Sequence, residues 1–279
     1  MNKQLIVALS GLTLVILLFI FGRTAEKKKA TTSIEKPLSY GIKTVIDSFK
    51  RSLTPAHAIY VSKLENGISR GDVPSQQINN YTSLANFWKD SIKAFEPYAF
   101  YTIEGAKLDN SQKSLTFAAR LMLDNLRQEQ NEAKLNWETA EAIDLFERAL
   151  KLDPDNDDLK IGIGSAYVYG KGRTGNAEAT MKGIQQLLTV VRKDSNNMRA
   201  HLVLGVGGLV SGQYDKALER FKRIVTREPA NLEAIAYLAD TYAAKGEKEE
   251  AVKWYNISKQ LANDPHYSKE VDERIRQLR

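Results

Sequence analysis

Apolar residues recur three and four positions apart along most of the chain beyond residue 40, a spacing typical of amphipathic helices. Ile42, Val45, Ile46 and Phe49 fall on one face of the first such helix. Leu115 to Gln128 has the same spacing further along the chain. The pattern predicts an all-α protein.

Prolines divide the region between residues 41 and 110 into helices. Pro55, Pro74 and Pro97 are each predicted to begin a helix, since proline is favoured at the first helical position. The predicted stripe that follows Pro55 contains Ala58, Ile59, Val61, Leu64 and Ile68.

The second half of the chain repeats itself at a step of 34 residues. Pairs of similar residues at this step are Leu204 and Leu238, Gly212 and Gly246, Ala217 and Ala251, and Phe221 and Tyr255. Two earlier small residues, Ala142 and Gly183, extend the series at steps of 41 and 34. A period of 34 residues is typical of a helix-turn-helix unit that buries its apolar face only against a neighbour.

These residues resemble tetratricopeptide repeats. The resemblance implies an α-solenoid of stacked helix pairs. Residues 137–262 would form the repeat array, residues 41–136 would hold degenerate repeats, and residues 263–279 would form a capping helix. The resemblance also implies small residues, such as Gly164 and Gly183, where two helices cross closely.

Gln4 to Gly22 is a run of 19 residues without a charged side chain. At about 1.5 Å per residue a helix of this length spans about 28 Å, close to the hydrocarbon core of a bilayer. A cleaved signal peptide is the alternative, but cuts after Ala25 or Ala30 place Arg23 or Lys28 where a small residue is needed. We therefore predict a retained transmembrane helix at residues 4–22.

Residues 23–40 are polar and predict a flexible tether between this helix and the repeats. The flank beyond the helix is richer in basic residues than the flank before it, where Lys3 lies. This bias favours a cytoplasmic repeat domain, whereas the very short N-terminal head favours a periplasmic one. We expect a single-pass protein of a bacterial inner membrane, with a cytoplasmic repeat domain and a periplasmic one as the alternative.

The net charge of +6 is concentrated near the N-terminus. Residues 1–36 contain six basic and two acidic side chains, and the remaining residues contain 34 basic and 32 acidic ones. A nearly neutral folded part argues against nucleic-acid binding through the phosphate backbone. The absence of cysteine from the sequence excludes a disulfide framework and thiolate chemistry.

Gly170 to Gly175 fits the G-x-G-x-x-G spacing of dinucleotide sites. Such a site needs a strand before the string, whereas a helical pattern ending in Tyr167 to Tyr169 precedes it, so we predict a turn between helices. His57, His201 and His266 are far apart in the sequence, and His201 is predicted to pack in the core. The sequence contains no catalytic or metal-ligand motif, and we predict no enzymatic activity, cofactor, metal or small-molecule substrate.

In tetratricopeptide repeats, peptides generally lie along a wall formed by the first helix of each unit. The residues that the resemblance places on this wall are Ile161, Ser165, Val168, Arg199, Leu202, Val206, Leu209, Glu233 and Asp240. Two alternatives stay open. The wall lines an open peptide groove, or its apolar residues are covered by helices from residues 41–136.

The resemblance and the apolar N-terminal run together predict a membrane-tethered scaffold that binds a peptide or a helix of a partner protein. The second half of the chain also resembles the repeat domains of bacterial cytochrome c-type biogenesis factors. An assembly factor for these cytochromes, or for another envelope complex, is therefore the alternative function.

Overall fold

The computed structural model of the protein describes residues 40–71 and 73–278, and within these ranges every regular element is a helix. The prediction of an all-α fold is confirmed for this part of the chain. The N-terminal helices are α1 (Ile42–Arg51), α2 (Pro55–Arg70), α3 (Pro74–Asn86), α4 (Phe95–Asp109) and α5 (Gln112–Leu126). The others are α6 (Glu132–Leu152), α7 (Asp157–Ala166), α8 (Ala177–Lys193), α9 (Met198–Val210), α10 (Tyr214–Arg227), α11 (Leu232–Lys245), α12 (Lys248–Ala262) and α13 (Pro265–Leu278).

From α3 onwards the helices pack as consecutive pairs, and the second helix of each pair also contacts the first helix of the next pair. The first helices α5, α7, α9 and α11 contact one another in series, and the second helices make no comparable contacts. Because the first helices lie closer together, the array curves towards them. We call the surface formed by α3, α5, α7, α9 and α11 the inner face.

Asparagine caps fix where many of these helices begin. The side-chain oxygen of each cap accepts the N–H group three residues on, which has no partner within the helix. The caps are Asn131, Asn156, Asn176, Asn197 and Asn231. At Asn156, Asn197 and Asn231 the backbone N–H also donates to the carbonyl three residues earlier, so three pair boundaries share one turn.

Small residues let the helices of a pair approach closely. A Cβ atom on Gly183 would lie 2.6 Å from Cβ of Tyr167 and 2.9 Å from the carbonyl oxygen of Gly164. A Cβ atom on Gly164 would lie 2.5 Å from Cγ of Leu187. These distances are shorter than carbon and oxygen atoms can approach, so α7 and α8 pack this closely only with glycine at both positions.

Two wide π-helical turns, Phe87–Ile92 and Tyr167–Gly172, extend α3 and α7 and are not predicted by the sequence pattern. The first ends at Lys93, whose φ of 58° places it in the left-handed region. Such a turn inserts about one residue into the helical repeat. The apolar pattern continues through both turns, which is why the pattern alone does not reveal them.

Three local expectations need correction. Helix α6 begins at Glu132, so the predicted boundary between residues 136 and 137 falls inside a helix. Helix α4 begins at Phe95, which places Pro97 within its first turn. Ile59 is 71% exposed although it belongs to a predicted apolar stripe. Two positions separate Ile59 from buried Val61, a rotation of about 200°, so Ile59 lies on the opposite side of the helix.

The array has two adjoining apolar cores. The larger core runs from α4 to α13 and contains Phe146, Leu187 and Phe221. The smaller core lies among α2, α3 and α4 and is centred on Trp88, with Leu84 packed beside it. Helix α13 packs on α12 through buried apolar side chains and covers that end of the array.

Within residues 40–71 and 73–278 no helix has both the length and the apolar character that a bilayer span requires. The predicted transmembrane helix at residues 4–22 and nearly all of the tether lie outside the described residues.

Candidate functional site

The structure places the residues predicted to line the groove on the inner face, but several of them are inaccessible. Four are buried: Ile161, Ser165, Val168 and Val206. Leu202 and Leu209 are half-buried against the larger core. These six side chains therefore do not line an open groove, and only two of them retain appreciable apolar surface.

The charged members of the predicted groove are already paired. Arg199 Nη1 donates to Oδ1 of Asp158 at 2.7 Å, and Arg120 lies 3.8 Å from the other carboxylate oxygen of Asp158. Asp240 accepts hydrogen bonds from Arg274 at 2.8 Å and from the hydroxyl group of Tyr255 at 2.6 Å. Along this stretch the charged side chains of the inner face are thus paired with other side chains of the array.

Arg127, in the turn between α5 and α6, reaches across to α11. Its guanidinium group pairs with Glu233 and lies 4.7 Å from the ring centroid of Tyr169. Tyr237 on α11 is the fourth residue of this group, and burial raises the pKa of both Tyr169 and Tyr237. We call these four residues, Arg127, Tyr169, Glu233 and Tyr237, the bridge. The bridge links α7 to α11 past α9, on which Val206 is only 4% exposed.

An open cleft lies further towards the N-terminus, between α3 and α5, where these two first helices separate and leave α4 uncovered. Its volume is about 300 Å³. We call it the inner cleft. Its lining residues on α3, the following π-helical turn, α4 and α5 include Ile78, Thr82, Asn86, Lys89, Tyr98, Thr102, Asp109 and Phe117.

The two ends of the inner cleft carry opposite charges. Lys89 lies over the ring of Tyr98 at 5.9 Å at one end. At the other end Asp109 accepts hydrogen bonds of 2.5 Å from the hydroxyl groups of Ser111 and Ser114. These hydrogen bonds, from Ser111 and then Ser114, lower the pKa of Asp109 and keep its carboxylate ionised.

Phe117 stands at the rim of the inner cleft with 57% of its surface exposed. It is not among the residues predicted from the sequence. Its neighbours Leu115, Ala118 and Met122 form the buried stripe of α5, and Phe117 lies off that stripe. A large aromatic residue on the polar side of an amphipathic helix is the signal that could have identified this site.

The glycine-rich string Gly170 to Gly175 is part of a helix-to-helix connection, as predicted. It spans the end of the π-helical turn and a tight turn before α8. Arg173 in this turn donates to the carbonyl oxygens of Leu126 at 3.0 Å and Glu129 at 2.9 Å. The string therefore anchors one unit to the preceding one.

His201 is buried, as predicted, and holds two neighbouring segments together. One ring nitrogen lies 3.0 Å from the carbonyl oxygen of Ser195 and the other lies 3.0 Å from Nη1 of Arg220. Arg220 can only donate, so the hydrogen-bond network assigns the ring proton to the nitrogen that faces Ser195. Burial lowers the pKa of His201, which keeps the imidazole neutral.

Glu138 in α6 is a fully buried carboxylate. One of its oxygens accepts a 2.5 Å hydrogen bond from Asn125, and the other has no hydrogen-bond partner among the described residues. Lys134 lies 4.0 Å from Glu138 but closer to Glu96, at 2.8 Å, and to Glu129, at 3.0 Å. Burial raises the pKa of Glu138 to about 7.

The described residues contain no group of three or more His, Asp and Glu side chains arranged to hold a metal ion. The inner cleft itself offers apolar side chains, two end charges and exposed amide and hydroxyl groups.

One family model matches part of this array. The family model described as tetratricopeptide repeat matches residues 209–269, which include all of α10, α11 and α12. A search of curated proteins returns no significant match.

Three solved structures with a similar backbone are distant from this chain in sequence. A thermophilic tetratricopeptide repeat protein of Thermus thermophilus aligns with a TM-score of 0.53 at 16% identity, covering 74% of this chain and 98% of that chain. YrrB, described as a tetratricopeptide repeat protein with an unusual peptide-binding site, aligns with a TM-score of 0.46 at 18% identity, covering 75% and 96%. PilW, described as a type IV pilus biogenesis factor, aligns with a TM-score of 0.48 at 16% identity, covering 72% and 93%. The Thermus protein shares the helical-repeat fold of this chain.

Proposed function

We propose that this protein is a membrane-tethered scaffold that binds a segment of another protein on the inner face of its helix array. The observation that carries the proposal is the inner cleft, an accessible apolar cleft on the inner face where α3 and α5 separate. Its volume of about 300 Å³ lies at the lower end of the range of ligand sites, roughly 300–1,000 Å³.

The physical basis of the proposal is a preformed surface. Stacked helix pairs hold the inner face in one arrangement, so little conformational entropy is lost when a partner binds. The cleft combines apolar side chains with a few polar groups, which is the usual composition of a recognition site. The tetratricopeptide match to residues 209–269 is consistent with this role.

The membrane tether is the second part of the proposal and rests on the sequence. An uncharged run at residues 4–22 followed by a polar segment would hold the array close to a bilayer. We propose a cytoplasmic location for the array, with the periplasm as the alternative. A fractionation of membranes tests the tether: the full chain should resist extraction by alkaline carbonate, and a chain lacking residues 4–22 should not.

The binding function is tested by crosslinking lysines in native membranes, followed by mass spectrometry. We expect a reproducible partner whose crosslinks map to Lys89 and Lys113, near the inner cleft, rather than to Lys182 and Lys222 on second helices. Recovery of cytochrome c assembly proteins would support the narrower role of an assembly factor. Recovery of the protein without any stable partner would contradict the proposed function.

A further inference from the structure

We infer that the inner cleft binds an extended segment of about five residues with an acidic side chain at the Lys89 end, a basic side chain at the Asp109 end and apolar side chains between them. The inference rests on the proposed function and specifies the site and the chemistry of the partner.

The charges at the two ends of the inner cleft differ from the charges of the predicted groove. In the stretch predicted to be the groove, Asp158, Arg199 and Asp240 are each neutralised by a side chain of the array. Lys89 and Asp109, by contrast, form no ion pair with any residue in the described ranges, although Asp109 accepts hydrogen bonds from two serines. A partner with the complementary pair of charges would satisfy both ends and fix its own direction in the cleft.

The length of the cleft sets the size of the segment. It follows α4 from Tyr98, beside Lys89, to Asp109, and the eleven helical steps between these two residues correspond to about 16 Å. An extended chain covers this distance in about five residues. A helix hydrogen-bonds its own peptide groups and would leave the polar groups of the cleft wall without partners. An extended segment is therefore the occupant that fits.

The walls of the cleft supply partners for both the backbone and the apolar side chains of such a segment. The exposed amide group of Asn86 has no hydrogen-bond partner within the described part of the chain and can both donate to and accept from a peptide group. Thr82 and Thr102 donate to carbonyl groups of their own helices, and their hydroxyl oxygens can accept a peptide N–H. Ile78 and the exposed ring of Phe117 offer apolar surface at the two walls.

A peptide-display selection on the full chain in nanodiscs tests the inference. The probe is a library of random seven-residue peptides, selected in parallel on the natural chain, on a Phe117→Glu variant and on a Leu152→Glu variant. Leu152 is a matched control because it is 50% exposed and does not line the cleft. We expect enriched peptides that contain an acidic and a basic residue about four positions apart. These peptides should bind the Leu152→Glu variant and should not bind the Phe117→Glu variant.

Charge reversal then tests the direction of the bound segment. Lys89→Glu should weaken binding of an enriched peptide about tenfold, and replacing the acidic residue of the peptide by lysine should restore it. Lys182→Glu, an exposed lysine on α8, is the matched control and should leave the affinity unchanged. A role of Lys89 in folding alone would not produce this rescue.

Three results would overturn the inference: no enriched peptide, enriched peptides that bind Phe117→Glu equally well, or no rescue of Lys89→Glu. Displacement of the peptides by residues 1–39 of the chain, or by a second copy of it, would also contradict a partner protein as the occupant. None of these results alters the crosslinking test of the proposed function, since a partner can dock elsewhere on the array. Loss of every crosslinked partner would instead contradict the proposed function.

Discussion

At the scale of single residues, the buried carboxylate of Glu138 gives the fold a specific dependence on pH. Its pKa of about 7 lies above the value of about 4.5 that it has in the unfolded chain. Below pH 4.5 the carboxyl group is protonated in both states, so it imposes no penalty. Between pH 4.5 and 7 the unfolded chain releases the proton and the folded chain retains it, so stability falls as the pH rises.

Glu138→Gln should remove the loss of stability between pH 4.5 and 7, because its side chain carries no charge. Its amide oxygen can still accept the hydrogen bond from Asn125. We expect the variant to be more stable than the natural chain at pH 8, by on the order of 2 kcal/mol, and to be similar at pH 4.5. Urea unfolding at both pH values measures the difference. Glu147→Gln, an exposed residue of the same helix, is the control. If the stability of Glu138→Gln depends on pH as strongly as that of the natural chain, the dependence arises from the neighbouring charged groups Glu96, Glu129 and Lys134.

The bridge is a second feature that belongs to this scale. Arg127 and Glu233 are both part-exposed, so their ion pair should contribute about 0–1 kcal/mol to global stability. Arg127→Ala should therefore leave the melting temperature nearly unchanged while speeding amide hydrogen exchange in α7 and at the start of α11. Arg148→Ala, which breaks an exposed pair with Asp144 within α6, is the matched control. If amide hydrogen exchange in α7 and α11 is unchanged in Arg127→Ala, the bridge does not restrain these helices.

The outcome of the site prediction also depends on single residues. Placing Ile161, Val206 and their neighbours on the inner face needed only the repeat alignment, at steps of 41 and 34 residues. Arg127 and Glu233, which pair across this face, are 106 positions apart in the sequence. Side-chain pairing over that distance leaves no periodic signal, so the sequence predicts which face these residues occupy and not whether the face is covered.

At the scale of elements, the positions of glycine decide how closely the helices pack. Gly183→Ala should destabilise the protein by about 1–3 kcal/mol, because the new methyl group meets the backbone oxygen of Gly164, which cannot move without disturbing α7. Gly207→Ala in α9 should stabilise by about 0.5–1 kcal/mol, since the nearest atoms lie at ordinary contact distances of 3.4–3.5 Å. Urea midpoints of the two variants test this contrast, and a shift of the same sign in both would contradict the close-packing account.

Helices with strong local signals were predicted well. Helix α13 begins at Pro265 behind Asp264, whose side chain accepts the N–H of Tyr267, and both residues are readable in the sequence. Helix α6 was less well predicted because its capping residue, Asn131, follows a polar stretch without a clear apolar stripe. The inner cleft was not predicted either. It depends on the separation of α3 from α5 next to a π-helical turn, which is a tertiary feature.

At the scale of the whole molecule, one part of the inner face is occupied by side chains of the array itself and another part is accessible. From α7 to α11 the inner face is covered or paired by its own side chains, and its exposed charges neutralise one another. From α3 to α5 the face opens into the inner cleft. The sequence predicted a binding groove on α7, α9 and α11. In the structure the accessible part of the inner face lies nearer the N-terminus, between α3 and α5.

The central claim, that a protein partner binds at the inner cleft, is tested most directly by photo-crosslinking from a single position. A benzophenone side chain is introduced in place of Phe117, and separately in place of Leu152, in the full chain in its native membrane. The account predicts a discrete covalent adduct from position 117, absent from position 152 and lost when Lys89→Glu is added. Adducts of equal yield from both positions, or no adduct from position 117, would contradict it.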